Sequence, residues 1–287
     1  MDDAARRFTA FEAAGWSERA RSYGDLSERI TARVADALLD AGGVASRTRV
    51  LDVGCGPGVV VAAALARGAR PTGVDVAAGM LAEARRRHPG VELVEADVVA
   101  LPFGDAIFDA AVGNFVLNHL PEPERAVAEL RRVLAPGGRV ALSLWGPPER
   151  TRWLGLVTEA LADEGVPMPA VVDEGPPSDR FADPARMRAL LEGAGLRGAS
   201  VETLAFEVTV PDADALWDGV LGGSVRTSAA ILARPPEEQG RARAALARLA
   251  EAYRGPGGLV LPVEVVIGSA RRAQHDVVDV ERGEGDG

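Results

Sequence analysis

Three glycines at alternate positions, Gly54, Gly56 and Gly58, follow an apolar run in the segment VLDVGCGPG and precede a helix-forming run. Glycine lacks a Cβ and tolerates positive φ, so such a turn lets a ligand approach the backbone closely. A strand, a glycine turn and a helix also form the site where open α/β sheets bind nucleotide-like cofactors. We therefore predict a cofactor site at this turn, with Cys55 contributing its backbone. The carboxylate of Asp52 either touches the ligand or only orders the loop.

The spacing of these glycines argues against a dinucleotide. The dinucleotide fingerprint is G-x-G-x-x-G, and its third glycine would fall at the position that Val59 occupies. The chain also contains no lysine, which excludes a Tyr-x-x-x-Lys pair and any Schiff-base mechanism. An NAD(P)-dependent oxidoreductase is therefore disfavoured.

Acidic and polar residues follow three later strand-like runs, at the points where those runs end. Asp75 comes about 20 residues after the glycine turn, the spacing at which a carboxylate accepts ribose hydroxyls. Asp97 and Asn114 end the next two runs, although Glu95 could take the place of Asp97 if the strand register differs. His119 lies a few residues beyond and is a candidate general base, the alternative being a structural histidine.

Strand-like and helix-like runs alternate from residue 49 to residue 145, and this pattern predicts the sheet that positions the polar residues. We predict strands at 49–53, 71–74, 91–95, 107–113 and 139–144, with helices after Gly58, through Met80–Ala84 and over 123–134. Beyond Trp145 we predict helices near 151–164 and 184–194, strands at 199–210 and 259–270, and helical pieces within 212–253. Such alternation is typical of a parallel sheet covered by helices on both faces, a doubly wound α/β fold.

Several motifs in order, over roughly residues 49–145, resemble those of the class I S-adenosylmethionine-dependent methyltransferases. The G-x-G-x-G turn with an acid two residues before it resembles motif I of that family. The segment FDAAVGNFVLNHLPEPERAVAELRRVLAPGGRVALSLW resembles the part of the family that runs from the fourth strand to the fifth. The chain looks most like the subgroup of ubiquinone and menaquinone methyltransferases. This resemblance implies S-adenosyl-L-methionine as cofactor and S-adenosyl-L-homocysteine as product.

The resemblance also implies a domain organisation around a Rossmann-like sheet of seven strands, the last of them antiparallel. Helices at 1–45 would form part of a substrate lid, and 46–145 would be the cofactor-binding core. The remaining core helices and strand six would occupy 146–210. A helical lid inserted at 211–256, a last strand at 257–272 and a disordered tail at 273–287 would complete the chain.

Roles in cofactor binding follow from the resemblance residue by residue. In the family, the acid that matches Asp97 binds the adenine amino group, and the next backbone amide, that of Val98, lies on the ring. Asn114 and Phe115 would lie beside the methionine part. The full set of predicted cofactor contacts is Tyr23, Asp52, Gly54, Cys55, Gly56, Asp75, Val76, Met80, Asp97, Val98, Asn114 and Phe115.

The tryptophans all lie outside residues 24–144, which contain the predicted cofactor site; they are Trp16, Trp145, Trp153 and Trp217. They either pack in the core or line an apolar acceptor pocket beneath a lid. Gly222-Gly223 would then be a hinge of that lid or only a break between two helices.

Together these features predict a methyltransferase that moves a methyl group to an oxygen, nitrogen or carbon of a mostly apolar small molecule, such as a secondary metabolite. A base such as His119 is needed only where the acceptor is a weakly acidic hydroxyl or amine. Two alternatives remain open. The fold could use the cofactor in a non-methylating step such as a cyclisation, or the chain could be a non-enzymatic binding module.

The composition limits the classes of partner that we expect for this chain. The net charge is −10 and no basic cluster offsets it, so a nucleic-acid partner is disfavoured. The single cysteine allows no disulfide and no cysteine-based zinc site, and we expect no metal dependence. No apolar run is long enough to span a bilayer, and the first residues lack the apolar core of a signal peptide. We therefore expect a cytoplasmic protein that acts on a small molecule.

Overall fold

The structure is a computed structural model that describes residues 3–165, 177 and 179–274. One mixed sheet forms its centre. Its strands are β1 (Arg49–Val53), β2 (Arg70–Asp75), β3 (Glu92–Glu95), β4 (Phe108–Asn114), β5 (Leu134–Trp145), β6 (Arg197–Val210), β7 (Arg254–Gly255) and β8 (Gly258–Arg271). The order across the sheet is β3-β2-β1-β4-β5-β8-β6, with β7 paired to β8.

The strand directions confirm the predicted doubly wound α/β fold. Strands β1 to β5 run parallel to one another, whereas β8 runs antiparallel to both β5 and β6. Seven strands were expected, and β7 is an addition. It exists because a two-residue turn at Pro256-Gly257 folds the start of β8 back, so that Gly255 pairs with Gly258.

The fifth strand is longer than the sequence predicts. Strand β5 was expected to begin at Arg139, after a Pro-Gly-Gly turn, but it already begins at Leu134. Leu134 pairs with Phe108, and the register then shifts before Arg139 pairs with Ala110. The glycines therefore form an irregularity within the strand, where Gly137 adopts a φ of 79°.

Helices cover both faces of the sheet. They are α1 (Asp3–Arg19), α2 (Ser27–Ala41), α3 (Val59–Ala66), α4 (Ala78–Arg87), α5 (Pro123–Val133), α6 (Arg152–Asp163), α7 (Pro184–Gly193), α8 (Ala213–Gly223), α9 (Arg226–Leu232) and α10 (Pro236–Ala250). Among the described residues, none of these helices is both long and apolar enough to cross a membrane. Residues 166–177 and the tail expected at 273–287 lie almost entirely outside the described residues.

Alternation along the strands divides the core into two large clusters. In β1, Val50 belongs to the cluster under α2, α3, α6, α8 and α10, and its neighbour Leu51 belongs to the cluster under α5 and α7. Successive side chains of a strand point to opposite faces, so both faces of this strand are apolar. This double burial is the reason that the central strands consist of almost continuous Val, Leu and Ala.

The glycines at the end of α8 allow a close contact with the N-terminal segment. The hydroxyls of Ser22 and Ser27 donate to the carbonyls of Gly222 and Gly223 at 2.8 and 3.0 Å. A Cβ on Gly223 would collide with the Ser27 hydroxyl. Helix α8 ends at Gly223, so this pair of glycines is a helix break that lets the insertion pack against residues 22–27.

Candidate active site

A cavity of about 680 Å³ lies at the carboxyl ends of the central strands. Its wall combines these strand ends with one side of α1, the segment from Trp145 to Thr158, and the junction between α8 and α9. Its volume lies within the range of ligand pockets, roughly 300–1,000 Å³. The parts of the chain predicted to form the site and its lid therefore meet around one cavity.

Most of the residues singled out in the sequence line this cavity: Trp16, Tyr23, Gly54, Gly56, Asp75, Val76, Met80, Asp97, Val98, Asn114, Phe115, His119, Trp145 and Trp153. They come together because the parallel strands all present their carboxyl ends at one edge of the sheet.

Asp52, Cys55 and Trp217 do not line the cavity. Asp52 is buried in β1, where burial and the nearby charge of Asp75 raise the pKa of its carboxyl well above the ordinary value. The side chain of Cys55 packs under α4 and β3, and its backbone N–H donates to the carbonyl of Val74. Trp217 is buried in the core cluster that contains α8. The prediction that Trp217 lines the acceptor pocket is therefore not met, because its helix turns that side chain inward.

The glycine turn is hydrogen-bonded to the end of β2. Gly54, Gly56 and Gly58 have φ values of 64°, 52° and 92°, in the left-handed region that favours glycine. The carboxylate of Asp75 accepts the backbone N–H groups of Gly56 and Ala77, both at 2.8 Å. A carboxylate oxygen can accept more than one hydrogen bond, so Asp75 keeps lone pairs for a ligand.

The end of β4 is held rigidly. The amide of Asn114 donates to the carbonyl of Thr31 at 3.2 Å, and its oxygen accepts from the Ser143 hydroxyl at 2.7 Å. That hydroxyl in turn accepts the backbone N–H of Phe115 at 3.0 Å. Phe115 has a φ of 60°, uncommon for a residue other than glycine, and these contacts hold it there.

Three aromatic rings form one side of the cavity. Phe115 stacks on Trp145 with ring centroids 3.6 Å apart, and Trp145 meets Trp153 edge to face at 5.2 Å. Trp153 is 1% exposed, so its ring is fixed by packing. Of the three, the ring of Trp145 is partly exposed, and it offers an apolar surface to a ligand.

A second aromatic group contains Trp16, near the end of α1. Trp16 packs edge to face against Tyr23 at 5.9 Å and against His119 at 5.1 Å. The hydroxyl of Tyr23 lies 3.1 Å from the hydroxyl of Thr31, and burial raises the pKa of Tyr23 to about 12. Tyr23 is therefore neutral at physiological pH and takes part as a hydrogen-bonding group.

His119 belongs to a buried polar cluster. Its Nδ1 lies 2.9 Å from Oε2 of Glu12, and its Nε2 lies 2.9 Å from the amide nitrogen of Asn118. The other oxygen of Glu12 accepts from Nε of Arg226 at 2.8 Å, and Arg226 also donates to the backbone carbonyl of Asn118. Burial raises the pKa of Glu12, but His119 and Arg226 outweigh that effect and lower the pKa overall.

Comparisons with known proteins agree with this geometry. Residues 51–142 match the family described as a methyltransferase domain. The malonyl-[acyl-carrier protein] O-methyltransferase of Enterobacter lignolyticus is 34% identical over 209 residues, which cover 71% of this chain and 74% of that protein. The chain belongs to the class I S-adenosylmethionine-dependent methyltransferases.

Other similar proteins have names that describe varied chemistries. The demethylmenaquinone methyltransferase of Renibacterium salmoninarum is 35% identical over 136 residues, 47% of this chain and 57% of that one, little more than half of its length. Phosphoethanolamine N-methyltransferase 2 of Haemonchus contortus, solved with S-adenosylhomocysteine, gives a TM-score of 0.53 at 18% identity, covering 84% of this chain and 53% of that one. The [4+2]-cyclase SpnF gives 0.51 at 22% identity, covering 85% and 82%. At these identities the two solved structures show the fold alone.

S-adenosylmethionine is the cofactor of this methyltransferase, and the cavity fits it. A Cβ built on Gly56 meets nothing within 4 Å, so the backbone at this point is open to a ligand. Asp75 lies partly buried beside it, and each of its oxygens accepts one backbone N–H, which leaves lone pairs for the ligand. Among the described residues, no group of three or more His, Cys, Asp or Glu is arranged to hold a metal ion.

Sequence reasoning missed Glu12, Asn118 and Arg226. For Glu12 a signal exists, because it lies four residues after Phe8 and four before Trp16 on the apolar stripe of α1. A carboxylate at a helix position that should be buried requires a partner. Arg226 gives no such signal, since its helix is short and its partners are distant in sequence.

Which acid at the end of β3 binds the adenine, Glu95 or Asp97, can be decided by substitution. Asp97 lines the cavity, and its side chain caps the short helical turn at 98–100 by accepting the Val99 N–H at 3.1 Å. Glu95 is exposed and does not line the cavity. We expect Asp97→Ala to weaken S-adenosylhomocysteine binding about tenfold, the loss of one good hydrogen bond, and Glu95→Ala to leave it unchanged in calorimetric titration. The reverse ranking would transfer the adenine role to Glu95.

Proposed function

We propose that this methyltransferase transfers the methyl group of S-adenosylmethionine to a mostly apolar small molecule, such as a secondary metabolite, by in-line displacement. The observation that carries the proposal is the continuity of the cavity. One space extends from the glycine turn and Asp75 to the rings of Trp145 and Trp153. A donor bound at the first part and an acceptor against the second would share one cavity.

The cofactor would lie along the strand ends. Asp75 would accept the ribose hydroxyls, and Asp97 and the backbone of Val98 would bind the adenine. The methionine part would pass the glycine turn towards Asn114 and Phe115. Beside these residues the positive sulfonium would meet the faces of aromatic rings, which attract cations.

The acceptor part of the cavity is mostly apolar. Its wall includes Trp145, Trp153 and Leu154, with the hydroxyl of Thr158 and the carboxylate of Asp179. The arginine in the wall, Arg226, is engaged by Glu12. The net charge of −10 also opposes binding of a polyanion. An aromatic or otherwise apolar acceptor fits these surroundings.

Catalysis would rest mainly on alignment. The sulfonium already activates the methyl group, so the enzyme has to hold the nucleophile in line with the S–CH3 bond and keep water away. Such positioning can contribute up to about 7–11 kcal/mol. His119 lines the same cavity and would act as the base where the acceptor must lose a proton.

Methyl transfer can be tested with cofactor that carries a deuterated methyl group. We expect label to enter a low-molecular-weight product when the enzyme is given a panel of demethylmenaquinone, phenols, hydroxyquinones and malonyl-carrier protein. Mass spectrometry of the organic extract and of the carrier protein reads the outcome, and excess S-adenosylhomocysteine should suppress it.

Two results would contradict the proposal. A changed product without label would favour a cyclisation or another non-methylating step, the alternative suggested by the fold of SpnF. Label on the carrier protein alone would give the enzyme a carrier-bound acceptor, like that in the name of the Enterobacter relative. The open cavity itself argues against a binding module with a filled pocket.

A further inference from the structure

We propose that Glu12 is the positioning residue of His119, and that this pair serves a neutral acceptor whose phenolic or enolic hydroxyl loses its proton during methyl transfer. The inference rests on the proposed function and names the acceptor class of the same site. It is carried by the geometry of one cluster, in which α1, the turn after β4 and α9 meet at the cavity.

The hydrogen bonds of the cluster specify one tautomer of His119. Glu12 is a carboxylate and can only accept, so Nδ1 of His119 must carry a proton towards Oε2. In the neutral ring the lone pair is then on Nε2, which faces the side-chain amide of Asn118 at 2.9 Å. The contact with Glu12 therefore leaves the basic lone pair on the nitrogen that faces away from the carboxylate, which is the arrangement that a general base requires.

Arg226 keeps Glu12 in this role. Glu12 is 2% exposed, and a buried carboxylate without a cation would take up a proton and could then present a donor to His119. Arg226 is itself 9% exposed and binds the oxygen of Glu12 that faces away from His119. Its guanidinium also lies over the Phe8 ring, 4.6 Å from the centroid, which fixes its position. The arginine and the carboxylate cancel in charge.

With a hydroxyl as acceptor, the bonds formed and broken, the electron pair and the proton are all accounted for. The acceptor hydroxyl takes the place of the Asn118 amide at Nε2 of His119. Its oxygen forms a bond to the methyl carbon as the S–CH3 bond breaks, and the electron pair of that bond stays on sulfur. The hydroxyl proton moves to Nε2, and the carboxylate of Glu12 stabilises the resulting imidazolium. The proton leaves to water when the methyl ether is released.

A purely structural Glu12 would also tie α1 to α9, so the test must detect the state of the imidazole. The chain has three histidines, and loss of one signal in a His88→Gln variant simplifies the assignment of His119. In the enzyme saturated with S-adenosylhomocysteine, long-range ¹H–¹⁵N correlation should show neutral His119 with its proton on Nδ1. Glu12→Gln should abolish this preference, because the glutamine amide can donate to Nδ1. Glu18→Gln, an exposed acid on the same helix, should preserve it.

A pair of matched acceptors tests the hydroxyl class. Naphthol needs a base at neutral pH, whereas naphthalenethiol of similar shape is already ionised there. We expect Glu12→Gln to lower kcat for naphthol at least about tenfold with little change in KM, and to leave transfer to naphthalenethiol unchanged. Binding of S-adenosylhomocysteine should also stay unchanged.

The outcomes distinguish a failure of the role of Glu12 from a failure of the proposed methyl transfer. A proton on Nε2 in the wild-type enzyme would overturn the role of Glu12, and this measurement needs no variant to fold. Equal losses for both acceptors would reduce Glu12 to a structural residue. Transfer to the thiol but not to naphthol would overturn the hydroxyl as the acceptor class, but it would still support methyl transfer. Failure to transfer to either compound would overturn the acceptor class, and failure to bind S-adenosylhomocysteine would instead overturn the cofactor site itself.

Discussion

Asp75→Ala should weaken binding of S-adenosylhomocysteine about 100-fold, roughly 2.7 kcal/mol, while the protein stays folded. The carboxylate is held by the N–H groups of Gly56 and Ala77, which aim its remaining lone pairs at the cavity. Hydrogen bonds to a charged group contribute about 1.5–3 kcal/mol each, and ribose offers two hydroxyls. The loss should appear in calorimetric titration as a reduced affinity at unchanged stoichiometry.

A carboxylate at the other end of the same sheet provides the control. Asp109 also accepts a backbone N–H, that of Arg49, and pairs with its guanidinium, but it does not line the cavity. Asp109→Ala should therefore leave the affinity unchanged. Burial raises the pKa of Asp75, against the effect of its backbone hydrogen bonds. Wild-type affinity should accordingly be full above that raised pKa and fall as the pH falls through it. Unchanged binding by Asp75→Ala would remove the ribose role.

The strand ends of the site were predictable because they depend on local patterns. An apolar run that closes with an acid, as at Asp75, determines both the strand and the side chain at its carboxyl end. Parallel pairing then brings such ends to one edge, whatever the length of the connections. For the same reason the bounds of β1 agree with the prediction, and the positions of Asp97 and Asn114 at the cavity follow from it.

The part of the cavity wall that the helices form could not be predicted, because it depends on how these helices pack against the sheet. Whether Trp153 or Trp217 faces the ligand is decided by the rotation of α6 and α8 against the sheet, and both helices have apolar residues on more than one side. The contact of Glu12 with Arg226 joins residues 214 positions apart. Nothing in the local sequence of α9 indicates such a partner.

The three glycines of the turn lack a side chain for different reasons. The comparison leads to the second prediction with a large expected effect, the substitution of Gly56. A Cβ on Gly54 would lie 2.6 Å from a methyl group of Val116, and one on Gly58 would lie 2.5 Å from the ring of His88. Substitution there disturbs packing. A Cβ on Gly56 meets no protein atom within 4 Å, and Gly56 lines the cavity. The space beside Gly56 is therefore space that the ligand can use.

Gly56→Ala should accordingly damage binding more than folding. We expect the free energy of unfolding to fall by about 1–2 kcal/mol, the cost of an L-residue at a φ of 52°. The added methyl group would compete with the cofactor, and overpacking of about 1–3 kcal/mol corresponds to an affinity loss of roughly 5- to 160-fold. Urea unfolding and titration with S-adenosylhomocysteine measure the two effects separately.

Gly90→Ala is the matched variant for this comparison. Gly90 has a φ of 93°, a Cβ there also meets nothing within 4 Å, and the residue lies outside the cavity wall. It should lower the free energy of unfolding at least as much as Gly56→Ala, because a φ of 93° lies outside the left-handed region that L-residues tolerate, but it should not lower the affinity. If both variants bound S-adenosylhomocysteine like the wild type, the cofactor would have to lie away from the turn. If both lost affinity equally, the loss would come from strain in the fold. Only a loss confined to Gly56→Ala places the cofactor against the backbone of that glycine, because the two substitutions differ in what the new methyl group faces.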